Sequence, residues 1–171
     1  MVTASHNPAE YNGFKLCREQ AIPVSFETGI DRISKLTKQY HPLRGEHLGK
    51  VMASDIFVDY KKHVLKFASN LRHLRVVIDA GNGMAGKTIP LVCEGLPIEI
   101  IPLYFELDGS FPNHEANPLK PENMVDLQKK VRETRAHLGV AFDGDADRCV
   151  FVDEMGRIIG CDIITALIAK Q

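Results

Sequence analysis

The sequence lacks the features that mark several large classes of protein. Its apolar runs fall short of the ~20 residues that span a membrane, and no signal peptide opens the chain. Positive and negative side chains nearly balance, with a formal net charge of −1, so no broad basic field for nucleic acid is indicated. We therefore expect a cytoplasmic protein that has neither a membrane nor a nucleic acid as partner.

Cysteine and histidine also lack any metal-binding spacing. The four cysteines include no CxxC pair and the seven histidines no HExxH pattern, so the sequence does not support a zinc site. Cys93 and Cys149 stand among apolar residues. We expect reduced, mostly packed thiols.

The composition is that of an ordinary globular protein, with 44% hydrophobic and 25% charged residues in a chain of 171. From residue 74 onward, short apolar runs alternate with helical patterns. This alternation predicts an α/β fold with a mixed, mostly parallel sheet sandwiched by helices. The predicted strands are 13–17, 21–24, 75–80, 98–103, 138–142 and 149–153, and the predicted helices are 27–40, 56–71, 87–94, 121–137 and 163–170.

The most informative segment is FDGDADR at residues 142–148, in which Asp143, Asp145 and Asp147 alternate after an apolar, strand-like run. At a separation of ~5 Å and an effective dielectric of ~20, each pair of carboxylates repels by about 3 kcal/mol, so the cluster is expected to hold a cation. Ligation by oxygen alone favours Mg²⁺ or Mn²⁺. Gly144 allows the backbone to curl so that the three side chains converge.

Two other interpretations of this loop fit less well. The three acids and Glu154 occupy the first, third, fifth and twelfth positions of an EF-hand, but Arg148 stands where the calcium loop needs glycine. The flanking runs are also strand-like instead of helical. The second alternative is a solvated acidic turn, which agrees poorly with apolar residues so close on both sides.

A GxGxxG pattern at residues 81–86 follows a predicted strand, and Glu106 comes about twenty residues later, as in dinucleotide-binding domains. Pro90 stands four residues past the last glycine, where a dinucleotide-binding helix should continue uninterrupted. A tight turn from strand to helix is the preferred interpretation, and nucleotide binding is the alternative.

A second polar segment lies near the start of the chain, where TASHNP at residues 3–8 is followed by YNGFK at residues 11–15. Ser5 is a hydroxyl in a loop that Pro8 stiffens, and a turn in the second motif would fold Lys15 back towards it. Taken alone, the segment is typical of an ordinary turn rich in Ser and Asn.

All these motifs together resemble one family. TASHNP with YNGFK, DAGNGMAG, FPNHEANPLKPEN and FDGDADR follow one another over residues 3–148, and in this order they resemble the α-D-phosphohexomutase family. The likeness is closest to the bacterial phosphomannomutase/phosphoglucomutase type, because the similar phosphoglucosamine mutases usually differ from YNGFK after SHNP. The resemblance implies a phosphohexomutase-type α/β domain with partial flanking domains.

The resemblance also implies the ligands of a metal ion. Ser5 would carry a phosphoryl group, and Asp143, Asp145 and Asp147 would hold one Mg²⁺ together with an oxygen of the phosphoserine. The expectation agrees with simple electrostatics, because a phosphoserine adds about −1.5 to −2 charge beside three carboxylates.

Three further roles follow from the same resemblance. Arg148 would hold the transferring phosphoryl group, since its planar fork suits phosphate. Lys15 would act as general acid and base for the sugar hydroxyl, and His6 would assist.

The implied reaction is an interconversion of hexose 1-phosphate and hexose 6-phosphate. Phosphoserine gives its phosphoryl group to the hexose phosphate, the 1,6-bisphosphate reorients, and the other phosphoryl group returns to Ser5. Mg²⁺ is required, and glucose or mannose 1,6-bisphosphate serves as activator. Hexose phosphate is the expected substrate, and no protein partner is expected to be required.

The chain is short for the four domains of this family. We expect residues 1–55 to be the C-terminal part of domain 1 with the phosphoserine loop, and residues 56–153 to be the complete domain 2 ending in the metal loop. Residues 154–171 would begin domain 3, and domain 4 would be absent. A fragment that is inactive on its own is therefore expected. The alternative is a non-catalytic truncated module that binds only metal or a partner.

Overall fold

The computed structural model describes residues 1–40 and 49–170. The chain forms two compact units. Unit 1 consists of Met1–Thr3 and Asn12–Asp55, and unit 2 of Ala4–Tyr11 and Ile56–Gln171. Residues 41–48, which belong to the expected domain 1 segment, lie outside the described residues. The expected domain boundaries after residues 55 and 153 stay predictions.

A mixed five-stranded sheet forms the centre of unit 2. Its strands are β1 Leu74–Asp79, β2 Ile98–Leu103, β3 Leu138–Phe142, β4 Cys149–Asp153 and β5 Ile158–Ile159. Their order in space is β2-β1-β3-β4-β5. β1 runs parallel to β2 and β3, whereas β4 runs antiparallel to β3 and β5. The predicted α/β fold with a mixed sheet is confirmed.

Residues 1–40 and 49–170 contain five α-helices. They are α1 Asp31–Gln39, α2 Phe57–Val64, α3 Ala85–Cys93, α4 Val125–Thr134 and α5 Cys161–Ala169. None of the helices in the described residues is long and apolar enough to cross a membrane.

Alternation along the strands sends apolar side chains to both faces of the sheet, as the period of two requires. On one face Val77 and Val152 are fully buried in a cluster with Leu127 and Val131 of α4. On the other face Val140 belongs to a second cluster, which α3 joins through a half-buried isoleucine. Helices therefore cover the sheet on both sides, and each contributes to a separate apolar cluster.

Several helix ends differ from the prediction. α1 begins at Asp31 instead of residue 27, because Gly29 has a non-helical backbone and interrupts the preceding turn. α2 ends at Val64, and a 3₁₀ turn over Leu65–Phe67 follows it. α4 ends at Thr134 because the next residue is in the left-handed conformation, with φ of +51°.

The predicted strands at residues 13–17 and 21–24 are wrong. Unit 1 has isolated bridges at Val2–Phe14 and Cys17–Pro23 in their place. Gln20 and Ala21 both have left-handed φ angles, of +59° and +58°, so the backbone turns where an extended strand was expected.

The expectation of mostly packed thiols is also wrong. All four cysteines are free, but Cys17, Cys149 and Cys161 are exposed and only Cys93 is half-buried. Alternation explains Cys149, because its neighbour Val150 takes the position that faces the buried cluster under α4.

Candidate active site

The acidic loop joins β3 to β4 at the carboxyl end of β3. Its ends meet because the Asp143 N–H donates to the carbonyl of Arg148 at 3.2 Å, and the Ala146 N–H donates to the carbonyl of Asp143 at 3.0 Å. Ala146 has a left-handed φ of +60°, which curls the loop. One carboxylate oxygen from each of Asp143, Asp145 and Asp147 lies within 4.8 Å of the others. The three predicted metal ligands are therefore brought together.

Arg148 supplies positive charge inside this loop. Asp143 is fully buried, and its Oδ2 accepts from Nε and Nη2 of Arg148 at 3.0 and 2.8 Å. Its Oδ1 accepts from the backbone N–H of Arg148 at 3.0 Å. Nε of Arg148 also lies 3.6 Å from a carboxylate oxygen of Asp147. The guanidinium thus offsets part of the repulsion among the acids.

Ser5 reaches this loop from the other end of the sequence. Its Oγ donates to Oδ2 of Asp143 at 3.0 Å and to Oδ1 of Asp145 at 3.2 Å, although 138 and 140 positions separate the residues. Nη2 of Arg148 donates to the same Oγ at 3.2 Å. A hydroxyl has one proton, so the two carboxylates share it as alternative acceptors.

The segment that presents Ser5 is a tight turn. The backbone N–H of Asn7 and its side-chain amide both donate to the carbonyl of Ala4, at 3.0 and 2.7 Å. Ser5 has a left-handed φ of +56°, a conformation that is uncommon for residues other than glycine and costs about 1–3 kcal/mol. Strained residues of this kind cluster at functional sites.

His6 lies beside the same groups. Its Nδ1 is 3.4 Å from Oγ of Ser5 and is in hydrogen-bond contact with Nη2 of Arg148. Since the guanidinium can only donate, Nδ1 of His6 accepts, and the ring proton is assigned to Nε2. Ser5, His6 and Arg148 are therefore grouped with the three acids.

Lys15 is the one predicted site residue in unit 1. Its side chain is exposed, and its backbone pairs with Met1, with distances of 2.9 and 3.1 Å between the nitrogen and oxygen atoms. The acidic loop belongs to unit 2. The role of Lys15 as general acid and base therefore stays a prediction.

The predicted turn from strand to helix at residues 81–86 is confirmed. The Gly83 N–H donates to the carbonyl of Ala80 at 2.7 Å, and α3 begins two residues later. The helix continues through Pro90.

A buried polar network near this turn was not anticipated from the sequence. Asp79, at the end of β1, is fully buried and accepts from the Gly81 N–H at 2.9 Å and from Nε2 of His114 at 3.0 Å. Nδ1 of His114 lies 2.8 Å from the carbonyl of Glu115. Both ring nitrogens therefore face acceptors, and the bond to Asp79 raises the pKa of His114 above its ordinary 6.5.

A neighbouring carboxylate likewise raises the pKa of Tyr104. The Tyr104 hydroxyl donates to Asp126 at 2.7 Å, and this bond raises the pKa of Tyr104 to about 12. The ring of Tyr104 meets the ring of His114 edge-on at 5.4 Å. The one sequence signal for this buried network was Asp79, a polar residue at the end of a buried strand.

The donor set of the loop fits a hard divalent cation. It consists of oxygen atoms alone, from three carboxylates within 4.8 Å of one another, and the Ser5 hydroxyl adjoins two of them. With Arg148 included, these ionised groups have a formal net charge of −2, which a single Mg²⁺ or Mn²⁺ would balance.

Comparison with known proteins agrees with this geometry. The family profile described as phosphoglucomutase/phosphomannomutase, alpha/beta/alpha domain II, matches residues 55–156, and the corresponding domain I profile matches residues 1–43. A Xanthomonas campestris protein named as phosphohexose mutase is 42% identical over 99% of the chain and 38% of its own length. A Pseudomonas aeruginosa phosphomannomutase/phosphoglucomutase is 42% identical over 100% of the chain and 36% of its own length.

A solved structure is similar in fold as well. The crystal structure of a phosphoglucomutase/phosphomannomutase family protein from Burkholderia thailandensis superposes with a TM-score of 0.83 and 35% identity, and covers 99% of this chain and 36% of its own. The chain thus spans well under half the length of these relatives. Since a family profile covers more than half of the chain and the relatives align with nearly all of it, the chain belongs to the phosphoglucomutase/phosphomannomutase family.

Proposed function

We propose that this chain is part of a phosphohexomutase that interconverts hexose 1-phosphate and hexose 6-phosphate through a phosphoserine at Ser5 and a 1,6-bisphosphate intermediate. The observation that carries the proposal is the position of Ser5, whose Oγ lies 3.0 Å from Asp143 and 3.2 Å from Asp145. A hydroxyl held by two acids of a candidate metal site suits phosphoryl transfer, because that reaction depends on positioning and on stabilisation of charge.

We propose that Asp143, Asp145 and Asp147 hold Mg²⁺ beside the phosphoserine. When bound, the cation would draw charge from the phosphoryl oxygens as transfer proceeds. The loop supports this role through its charge and its oxygen donors. Arg148 contributes a fork that already spans Ser5 and Asp143.

Each residue would then have a task in the transfer. Arg148 would hold the phosphoryl group in line between Ser5 and the sugar oxygen. As the bond from phosphorus to Oγ breaks and the bond to the sugar oxygen forms, the hydroxyl proton of the sugar would pass to Lys15. After the 1,6-bisphosphate reorients, the unprotonated Oγ of Ser5 would attack the other phosphoryl group. The bond from that phosphorus to its own sugar oxygen would break, this second oxygen would take the proton from Lys15, and phosphoserine would form again. His6 would help to orient Oγ through its contact with Arg148.

The tasks in phosphoryl transfer would be divided among the domains of the longer protein. We propose that residues 1–55 complete domain 1, that residues 56–153 are domain 2 with the metal loop, and that residues 154–171 begin domain 3. The groups that grip the sugar hydroxyls and the distal phosphate would belong to the rest of the longer protein.

Labelling of the phosphoryl carrier tests the mechanism. The longer protein that contains this chain would be incubated with glucose 1,6-bisphosphate and Mg²⁺, and the site of added phosphate would be located by mass spectrometry. We expect phosphate on Ser5, none there in Ser5→Ala, and wild-type labelling in Ser34→Ala, a change in the separate α1 helix. Phosphate on an aspartate would refute the assignment.

Metal binding can be tested on the 171-residue chain itself. Titration with Mn²⁺, followed by water-proton relaxation, should show one site, and Asp145→Asn should weaken it by about tenfold or more. The matched control is Asp59→Asn, which removes a carboxylate from the exposed surface of α2. Equal affinity in wild type and Asp145→Asn would show that the loop is not the metal site.

A further inference from the structure

The glycine turn between β1 and α3 touches the acidic loop directly. The Met84 N–H, at the end of the turn, donates to the carbonyl of Gly144 at 2.9 Å. Gly144 stands between Asp143 and Asp145, so this bond holds the centre of the candidate metal loop.

The contact is too close for any side chain. A Cβ added at Gly83 would lie 2.7 Å from the carbonyl oxygen of Gly144 and 2.9 Å from its Cα. The φ angle of Gly83 is not in the left-handed region, so the close approach of the two backbones, and not the turn conformation, demands glycine here. On its other side Gly144 packs against the carbonyl of Ser5. The turn, the metal loop and the serine segment are thus stacked in contact.

The turn is itself held from several directions. Asn82 is buried and has a left-handed φ of +59°. Its backbone N–H donates to the carbonyl of Tyr104 and its side-chain amide to the carbonyl of Glu106, both at 2.8 Å. The side-chain oxygen of Asn82 accepts from the Asn113 amide at 2.8 Å. A turn with so many partners can act as a fixed support.

We propose that the Gly83–Met84 turn is a positioning element for the metal loop, which sets the place of Gly144 and so the convergence of Asp143 and Asp145 on the cation. This inference rests on the proposed metal site. Catalytic and metal-binding groups must be held to within about 0.5 Å. A methyl group at residue 83 would need a shift of about 0.7 Å to move from 2.7 Å to an ordinary contact of 3.4 Å.

The chain offers a matched control for this test. Gly139 in β3 also has no room for a Cβ, which would lie 2.7 Å from a side-chain carbon of Val131 in α4 instead of against the metal loop. Gly83→Ala should weaken Mn²⁺ binding by about tenfold or more, as does removal of groups that hold metal ligands in place. Gly139→Ala should keep the affinity of its folded fraction within about twofold of wild type.

A measurement on the wild-type chain covers the case in which Gly83→Ala does not fold. Saturating Mg²⁺ should slow hydrogen exchange of the Met84 amide by about fivefold or more, because the amide bonds to the loop that the cation fixes. The Glu94 amide, which bonds to Pro90 at the far end of α3, is the control and should change little.

The outcomes separate the two proposals. Failure of wild type to bind Mn²⁺ would refute the metal site and this inference with it. Normal wild-type binding with equal losses in Gly83→Ala and Gly139→Ala would overturn the positioning role alone. The positioning role would also be overturned if Mg²⁺ left the exchange rate of the Met84 amide unchanged, or slowed exchange of the Met84 and Glu94 amides equally.

Discussion

Removal of His114 should destabilise unit 2 strongly, although the residue lies outside the metal loop. Asp79 is fully buried, and its partners are the Gly81 N–H and the imidazole of His114. The His114 side chain is only 14% exposed, so water reaches the pair poorly. In His114→Ala the carboxylate of Asp79 would lose its charged partner. At pH values where His114 is protonated, this change breaks a buried ion pair at a cost of about 3–5 kcal/mol, which is a large share of a typical stability of about 5–15 kcal/mol.

The effect should depend on pH in a defined direction. The bond to Asp79 raises the pKa of His114 above its ordinary 6.5. A raised pKa means that the stabilisation is fully present below the ordinary value and is lost as the pH rises through the folded-state value. The other groups that face the ring, namely the Glu115 carbonyl and the carboxylate of Asp126, also favour the protonated form. The difference in the free energy of unfolding between wild type and His114→Ala should therefore be largest near about pH 6 and become smaller at higher pH.

Urea unfolding followed by circular dichroism at several pH values measures this difference, and exchange of the Val77 amide reports on the sheet itself. His73→Ala, an exposed histidine just before β1, is the control and should lose less than about 0.5 kcal/mol. The double variant Asp79→Asn, His114→Ala should lose less free energy of unfolding than the sum of the losses in the two single variants. A loss below about 1 kcal/mol in His114→Ala, or a loss independent of pH, would refute the reasoning.

Three further outcomes are expected. Gly144→Ala should reduce phosphate incorporation at Ser5 in the longer protein by about tenfold or more, because the new methyl group would displace the Ser5 carbonyl; unchanged labelling would contradict this. Leu127→Ala, at a fully buried position of α4, should lower the free energy of unfolding by about 2–5 kcal/mol in urea titrations, against a small change for the exposed Leu167→Ala. The 171-residue chain alone should show no measurable turnover of glucose 1-phosphate in a coupled assay. A rate within about tenfold of the longer protein would contradict the proposal that groups outside this chain hold the sugar.

The central strands were readable from the sequence because they are apolar on both faces. The bounds of β2, β3 and β4 match the predicted ranges, since each strand is a short apolar run that ends at polar or turn residues. β5 was not predicted, because Ile158–Ile159 is too short to show a period. Its pairing depends on the neighbouring strand instead of on its own residues.

Helix ends were harder to predict, since local geometry and not periodicity decides them. Gly29 delays the start of α1, and the left-handed Arg135 stops α4 before the predicted end. Apolar spacing continues across both points and so gives no sign of them.

Some features of the candidate site could be predicted from the sequence, and others could not. The three acids were identifiable because they are close in sequence and repel unless a cation is present. The approach of Ser5 to Asp143 could be expected only through the family resemblance, because 138 positions separate them. The pair of Asp79 and His114 was missed, since nothing in either residue's local sequence indicates its partner.

The register of the sheet couples the length of the acidic loop to the core. Phe142 pairs with Cys149, and the ladder continues from there, so six residues connect the two paired strands in this register. One inserted residue would either bulge out of the loop or slip β4 against β3. A slip of one position would turn Val150 and Val152 away from the cluster under α4. Substitutions in the metal loop at constant length therefore leave the sheet register alone, whereas an insertion that slipped β4 would change the packing of the sheet together with the loop.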